Sequence, residues 1–121
     1  MKEKEWIALF TVVSFYRVKK HRTNQFIALN KQVGMINMSH GAIEHEIYIP
    51  ASTDAAAGLS TYLQVGEDED LLFGQIVFRN QSHYEEVSCK LKEDGQIHSL
   101  TRELAELIDM SQIVTASFSS D

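Results

Sequence analysis

The chain has 121 residues, of which 44% are hydrophobic and 23% are charged, with a single proline and a single cysteine. This size and composition predict one domain over residues 1–121 and exclude a disordered, collagen-like or disulfide-framework protein. The formal net charge of −6 repels phosphate backbones and anionic lipid surfaces, so neither nucleic acid nor a membrane is an expected partner.

The first residues resemble a secretion signal only superficially. Lys2 and Lys4 precede an apolar stretch, but acidic residues dilute the basic region and basic residues at 17–20 follow where small residues would mark cleavage. The lone Cys89 cannot close an intrachain disulfide, and no later stretch has the roughly eighteen apolar residues of a membrane span. We therefore expect a cytoplasmic protein.

The first predicted strand covers residues 6–18, a segment dense in aromatic and β-branched side chains. Both of its sides are apolar, with Trp6, Ala8, Phe10 and Val12 on one side and Ile7, Leu9, Val13 and Phe15 on the other. A strand with two apolar sides is predicted to be covered on both faces of its sheet.

A helix is predicted next, capped by Thr23 or Asn24 and running to about His40, where Gly41 offers a left-handed stop. Its apolar positions recur at spacings of three and four, namely Phe26, Leu29, Val33 and Ile36.

Alternating residues predict three further strands. The first has Ile43, His45, Ile47 and Ile49 on one side and Glu44, Glu46 and Tyr48 on the other, and it ends at Pro50. After a loop over residues 51–58, a second alternating segment covers residues 59–65. The polar run at 66–70 turns the chain into the third, over residues 71–78, which is again apolar on both sides.

Two helices and a strand are predicted to complete the chain. Ser82 and Glu85 have the spacing of a capping box, which predicts a helix that begins at His83 and stops near Gly95. A second helix follows from about Ser99, with a buried stripe formed by Leu100, Leu104, Leu107 and Ile108. The last strand covers residues 113–119.

This order predicts an α+β fold, a ferredoxin-like antiparallel sheet with helices on one face. Residues 6–50 and 71–119 each place a helix between strands, which is the split βαβ pattern, and residues 59–65 add a strand. The helices can cover only one face of a sheet that is apolar on both. We therefore predict a homodimer in which two sheets stack face to face.

The element order and the segment over residues 71–82, LLFGQIVFRNQS, resemble the dimeric α/β-barrel superfamily. Within it, the chain is most similar to a family of small uncharacterised bacterial proteins, and more distantly to the antibiotic-biosynthesis monooxygenase-like proteins. The superfamily includes cofactor-free monooxygenases, haem-degrading proteins and members without an assigned activity. The resemblance implies an apolar ligand pocket between the sheet and the helices, and it carries over no catalytic residue.

His45 is the residue best placed for chemistry, because the alternation puts its imidazole among isoleucines. A desolvated imidazole tends to stay neutral and can accept a proton or bind a metal, although a hydrogen-bonded core histidine has the same pattern. We predict His45, Tyr48 and Gln75 as polar groups of the ligand pocket, bounded by the sheet and the first helix.

No cofactor or metal is predicted, and the catalytic residues are left unassigned. The five histidines lack the spacing of a metal site, and Cys89 has no activating neighbour. The basic segment at residues 17–22 fits either an anionic ligand or a solvated connection before the first helix.

Two functions follow from these patterns. The first is a small dimeric protein that binds a hydrophobic or aromatic molecule. As an enzyme, it would be a cofactor-independent monooxygenase-like protein. The second is a noncatalytic dimerisation or ligand-sensing module. A cavity above about 300 Å³ with convergent polar groups favours the first, and a filled core favours the second.

Overall fold

Within the described part of the chain, four strands form one antiparallel sheet with the order β2-β3-β1-β4. The structure, a computed structural model, describes residues 9–120, so residues 6–8 of the predicted first strand lie outside the described part. The strands are β1 (Phe10–Lys19), β2 (Glu44–Tyr48), β3 (Glu69–Phe78) and β4 (Val114–Ser119). Every neighbouring pair is antiparallel.

The connections carry four α-helices, α1 (Thr23–Ser39), α2 (Ala57–Tyr62), α3 (Gln81–Lys92) and α4 (Gly95–Leu107). Short 3₁₀ turns at Lys20–Arg22 and Met110–Gln112 lead into α1 and β4. Apart from α2, this is the predicted succession of strands and helices, and it confirms the α+β, ferredoxin-like fold class.

The main core lies between the helix-covered face of the sheet, α1 and α4. Val18, Phe26 and Leu72 are fully enclosed there, and Leu100, Leu104 and Leu107 of α4 pack against them. A second cluster lies beneath α3 and contains Phe10, Ala42, Phe78 and Val87. The predicted apolar stripes of α1 and α4 are therefore the ones that form the core.

The other side of the sheet, which we call the outer face, is also apolar. The strand register places Val13, Phe15, Phe73, Val114, Ala116 and Phe118 there, together with Glu44, Glu46, Tyr48 and Gln75. The Phe73 ring lies 5.3 Å from the Phe15 ring and 5.6 Å from the Tyr48 ring, measured between centroids. Two apolar sides on β1 and β3 were predicted, and the register confirms them.

Residues 59–65 form no strand, so that prediction is wrong. They belong to α2 and to the turn after it, in which Gln64 has a positive φ of 58°. Leu59 and Leu63 are four residues apart, a spacing that fits one face of a helix as well as one side of a strand. Arg17 Nη1 donates to the Gln64 carbonyl over 3.0 Å, so the end of α2 covers one end of the outer face.

Three predicted helix starts are also wrong. Thr23 does not cap α1, because its hydroxyl donates to Asp70 Oδ2 over 2.6 Å. Asn80 rather than Ser82 caps α3, accepting from the His83 N–H over 2.8 Å. Asp94 caps α4, which therefore begins at Gly95 and not near Ser99. Asparagine and aspartate are strong caps, and each of these two lies upstream of the predicted start.

Candidate functional site

His45 lies on the helix-covered side of β2, and its ring is held between two asparagines of α1. The Nε2 atom is 2.7 Å from Asn30 Oδ1, and the Nδ1 atom is 2.9 Å from Asn37 Nδ2. An amide oxygen only accepts and an amide nitrogen only donates. In this arrangement Nε2 therefore carries the proton, Nδ1 accepts, and the imidazole is neutral.

Gly34 makes this close approach of α1 to β2 possible. It lies between Asn30 and Asn37 along the helix, at spacings of four and three, so all three residues share one face. A Cβ at Gly34 would lie 2.7 Å from Cδ2 of the His45 ring. The missing side chain therefore leaves room for the imidazole.

The hydrogen bonds continue from His45 into β1. The Tyr16 side chain bonds to Asn30 and to Ser14, and Ser14 in turn bonds to Thr115 over 3.0 Å. Burial raises the pKa of Tyr16, so its hydroxyl stays protonated near neutral pH. We call Ser14, Tyr16, Asn30, Asn37 and His45 the His45 network. Among the described residues, nothing hydrogen-bonds to its buried Asn37 Oδ1.

The burial of His45 predicts a pH-dependent stability. Desolvation lowers the pKa of His45 below its usual value of 6.5, and the neighbouring Glu46 opposes the shift. The unfolded chain regains the usual pKa and binds the proton more readily, so stability is lost as the pH falls from about 6.5 towards the folded pKa. We expect the wild type to lose more unfolding free energy than His45→Gln when urea unfolding is compared at about pH 7.5 and about pH 5.5. Equal losses would contradict a neutral, buried imidazole.

A cleft opens between the first turns of α1, the loop after β2 and the start of β3. Its volume is about 420 Å³, within the range of small-molecule sites. The apolar lining consists of Ile27, Ile49, Pro50, Ala56, Val65, Leu71 and Leu72, and the polar lining includes Lys20, Thr23, Asn24, Ser52, Ser60 and Asp70. We call it the α1–β3 cleft.

An ion pair closes the polar side of the α1–β3 cleft. Asp70 accepts from the Thr23 hydroxyl and from Lys20 Nζ, the latter over 3.1 Å. The Thr23 hydrogen bond, with help from Lys20, holds the pKa of Asp70 below its usual range, so the carboxylate is charged. Lys20, Thr23 and Asp70 therefore bind one another across this side of the cleft.

The other lysine and arginine side chains at 17–22 are also engaged within the protein. Lys19 pairs with Asp68 over 2.8 Å, and Arg22 donates to the Glu106 carbonyl over 3.0 Å. Arg17 binds the Gln64 carbonyl and the Gln112 side chain. These contacts favour the structural interpretation of the basic segment over an anion site.

Two kinds of site find no support in the part of the chain that the structure describes. Within residues 9–120, no helix is both long and apolar enough to cross a bilayer. Histidine, cysteine, aspartate and glutamate side chains in the same range form no group of three or more that is arranged to hold a metal ion.

No protein-family model and no curated protein matches the chain. Several solved structures do match it. A conserved protein from Methanosarcina mazei Go1 superposes with a TM-score of 0.65 at 13% identity over 96% of each chain. A dimeric ferredoxin-like protein from an uncultured marine organism gives 0.64 at 12% identity, over 100% of this chain and 95% of the other. The fold is ferredoxin-like.

A third similar structure belongs to an enzyme. A mutant of SnoaB, a cofactor-independent oxygenase from Streptomyces nogalater, superposes with a TM-score of 0.61 at 11% identity, over 91% of this chain and 90% of the other. Together these ferredoxin-like structures confirm, at the level of the fold, the resemblance drawn from residues 71–82 and the element order. At such identities the similarity establishes the fold alone.

The structure does not bring the three predicted pocket residues together. His45 points towards α1, whereas Tyr48 and Gln75 lie on the outer face, where Tyr48 pairs with Phe73 and Gln75 with Glu46. Residues 45 and 48 are an odd number of positions apart on one strand, so their side chains must lie on opposite faces. A role for each in ligand binding stays a prediction.

Sequence reasoning missed the partners of His45, although a signal for them exists. Asn30, Gly34 and Asn37 repeat the spacing of four and three that marks the apolar stripe of Leu29, Val33 and Ile36, displaced by one residue. This second stripe of α1 faces β2. A stripe of small and amide residues beside an apolar one indicates a close, hydrogen-bonded contact.

Proposed function

We propose that this protein binds a small molecule with a hydrophobic or aromatic body in the α1–β3 cleft. The observation that carries the proposal is the cleft itself, since about 420 Å³ of space with a largely apolar wall has polar groups along one side. Ile27 and Ile49 offer apolar surface to a ring, and the Asn24 side chain offers hydrogen bonds that orient it. A filled core would have favoured the noncatalytic module instead.

We further propose that the protein acts as a homodimer joined through its outer faces. The Phe15, Phe73 and Tyr48 rings form a continuous apolar row there, and Val114 and Phe118 extend it onto the edge strand. Stacking two such sheets removes this surface from water in both copies. The similar marine protein is described as dimeric, which supports a dimer of this chain.

If the protein is an enzyme, the reaction we propose is that of a cofactor-independent monooxygenase-like protein. Support comes from the activity of the similar Streptomyces nogalater protein. The cleft would then hold the substrate away from bulk water while oxygen reaches it. The second candidate function, a noncatalytic ligand-sensing module, is favoured by His45, because both of its ring nitrogens are already hydrogen-bonded to α1 and neither is available as a base.

The proposed binding site can be tested by filling the α1–β3 cleft with a large side chain. We expect Ala56→Trp, at the cleft wall, to weaken binding of 2-naphthol at least about tenfold by calorimetry, because the indole takes the space of the probe. Ala55→Trp is the matched control, since the neighbouring residue is exposed and does not line the cleft. Equal affinities for both variants, or no binding to the wild type, would overturn the proposed site. Native mass spectrometry of the purified protein then reports the subunit number and any retained molecule.

A further inference from the structure

A second cleft lies at the other end of α1, where the helix stops and α3 begins. Its volume is about 320 Å³, and its walls include Gly41, Ile43, Arg79, His83, Glu86 and Lys90. We call it the α1–α3 cleft. None of these residues belongs to the His45 network or to the α1–β3 cleft.

His83 supplies a donor at the cleft that no described residue accepts. The residue is 8% exposed, and its Nδ1 accepts the backbone N–H of Arg79 over 3.0 Å. A backbone N–H only donates, so the neutral ring carries its proton on Nε2. That atom lies 3.3 Å from the place where a Cβ of Gly41 would stand, and no described residue accepts its proton. The donor is therefore available to an acceptor that enters the cleft.

The charges around this donor favour an anion. Arg79 and Lys90 line the cleft, and neither forms an ion pair with another described residue. His40 also lines it, but its Nε2 is bound to Asp94 over 2.8 Å. Glu86 is the one carboxylate in the lining. Two cations and one carboxylate leave a single positive charge.

The backbone next to the cleft does not compete for the donor. The last carbonyls of α1 already accept hydrogen bonds from the N–H groups of His40, Gly41 and Ala42, over 3.0 to 3.2 Å. The first turn of α3 lies on the other side, and the amino end of a helix favours negative charge. An acceptor brought in by a ligand therefore meets donors and cations, with Glu86 as the only negative group of the lining.

We propose that the α1–α3 cleft binds a small carboxylate. One carboxylate oxygen accepts the Nε2–H of His83, while Arg79 and Lys90 neutralise the charge. Ile43, which is half exposed at the cleft, contacts a short apolar part of the ligand. Phosphate carries about 1.5 to 2 negative charges near neutral pH, so Glu86 disfavours it relative to a monoanion.

The first test uses butyrate as the probe, observed through the imidazole signals of His83 by NMR. We expect a saturable shift of the Nε2–H signal, with butyrate binding more tightly than acetate and inorganic phosphate more weakly than either. Arg79→Gln and Lys90→Gln should each raise the dissociation constant about fivefold to tenfold. Lys92→Gln is the matched control on the same helix, since Lys92 lies outside the cleft. No saturable shift, or tighter binding of phosphate than of butyrate, would overturn the proposal.

A second variant tests the Nε2–H donor while keeping the hydrogen bond that His83 makes within the fold. His83→Asn keeps an oxygen near the position of Nδ1 to accept the Arg79 N–H but removes the Nε2–H, so butyrate binding should fall about tenfold. Unchanged affinity in a folded His83→Asn protein would remove His83 from the site, and the arginine and lysine variants test the cleft even if this one unfolds. Ala56→Trp, which blocks the other cleft, should leave butyrate binding intact, so the two proposals can fail separately.

Discussion

Replacing Gly34 with alanine is expected to lower the free energy of unfolding by about 2 kcal/mol, although alanine is the better helix former. The new Cβ would lie 2.7 Å from Cδ2 and 3.0 Å from Cγ of the His45 ring. The ring cannot move aside without leaving the amides of Asn30 and Asn37, and a buried amide without its partner costs about 1–3 kcal/mol. This exceeds the gain of about 1 kcal/mol in helix propensity.

The control for this substitution is Gly58→Ala in α2. A Cβ at Gly58 meets nothing within 4 Å, so the same gain in propensity is expected without a clash, up to about 1 kcal/mol of added stability. Urea unfolding of both variants measures the difference, and the His45 ring signals report whether its two hydrogen bonds survive. A Gly34→Ala protein more stable than the wild type would contradict the close contact between α1 and β2.

Phe118→Lys is expected to convert the proposed homodimer into a monomer. Phe118 is 60% exposed on the outer face of β4, so the single subunit does not depend on it for folding. Burying a phenylalanine side chain contributes about 1.5–3 kcal/mol, and twofold symmetry doubles the loss. The dimer dissociation constant should rise at least about a hundredfold, before the repulsion between the two new lysines is counted.

Sedimentation equilibrium at several concentrations measures this change. Met35→Lys is the control, because Met35 is 68% exposed on α1, away from the outer face, and should leave the dimer intact. Loss of the dimer in both variants would show that added charge acts nonspecifically. A wild type that sediments as a single chain at micromolar concentration would refute the dimer.

Most of the sheet was predictable, because strand alternation is read from neighbouring residues alone. Phe10 and Phe15 were predicted on opposite sides of β1, and Leu72 and Phe73 on opposite sides of β3, and the register confirms this division for the described residues. The periodicity of the α1 stripe predicted its core contacts in the same way. Such patterns depend on local geometry, which tertiary packing rarely reverses.

The wrong predictions of secondary structure also have local causes. Leu59 and Leu63 satisfy both periods, and seven residues are too few to separate a strand from a helix. At the start of α3, the capping-box spacing of Ser82 competed with Asn80, an equally good cap two residues earlier. A rule based on neighbouring residues cannot decide between two adjacent sequence signals that both satisfy it.

The clefts and the His45 network could not be predicted from the pattern of neighbouring residues. His45 was singled out by its apolar neighbours, but its partners Asn30 and Asn37 are 15 and 8 residues away, on another element. His83 was predicted only as the start of a helix. Whether a ring nitrogen is hydrogen-bonded or free depends on how the helices lie on the sheet, and alternation and spacing do not contain that information.

Helix α1 acts as a spacer. It has 17 residues, so its two ends are about 25 Å apart, with the α1–β3 cleft at one end and the α1–α3 cleft at the other. Midway, the imidazole seated against Gly34 pins the helix to β2 and opposes sliding along the strand. The separation is longer than a small metabolite, so one such molecule cannot span both clefts.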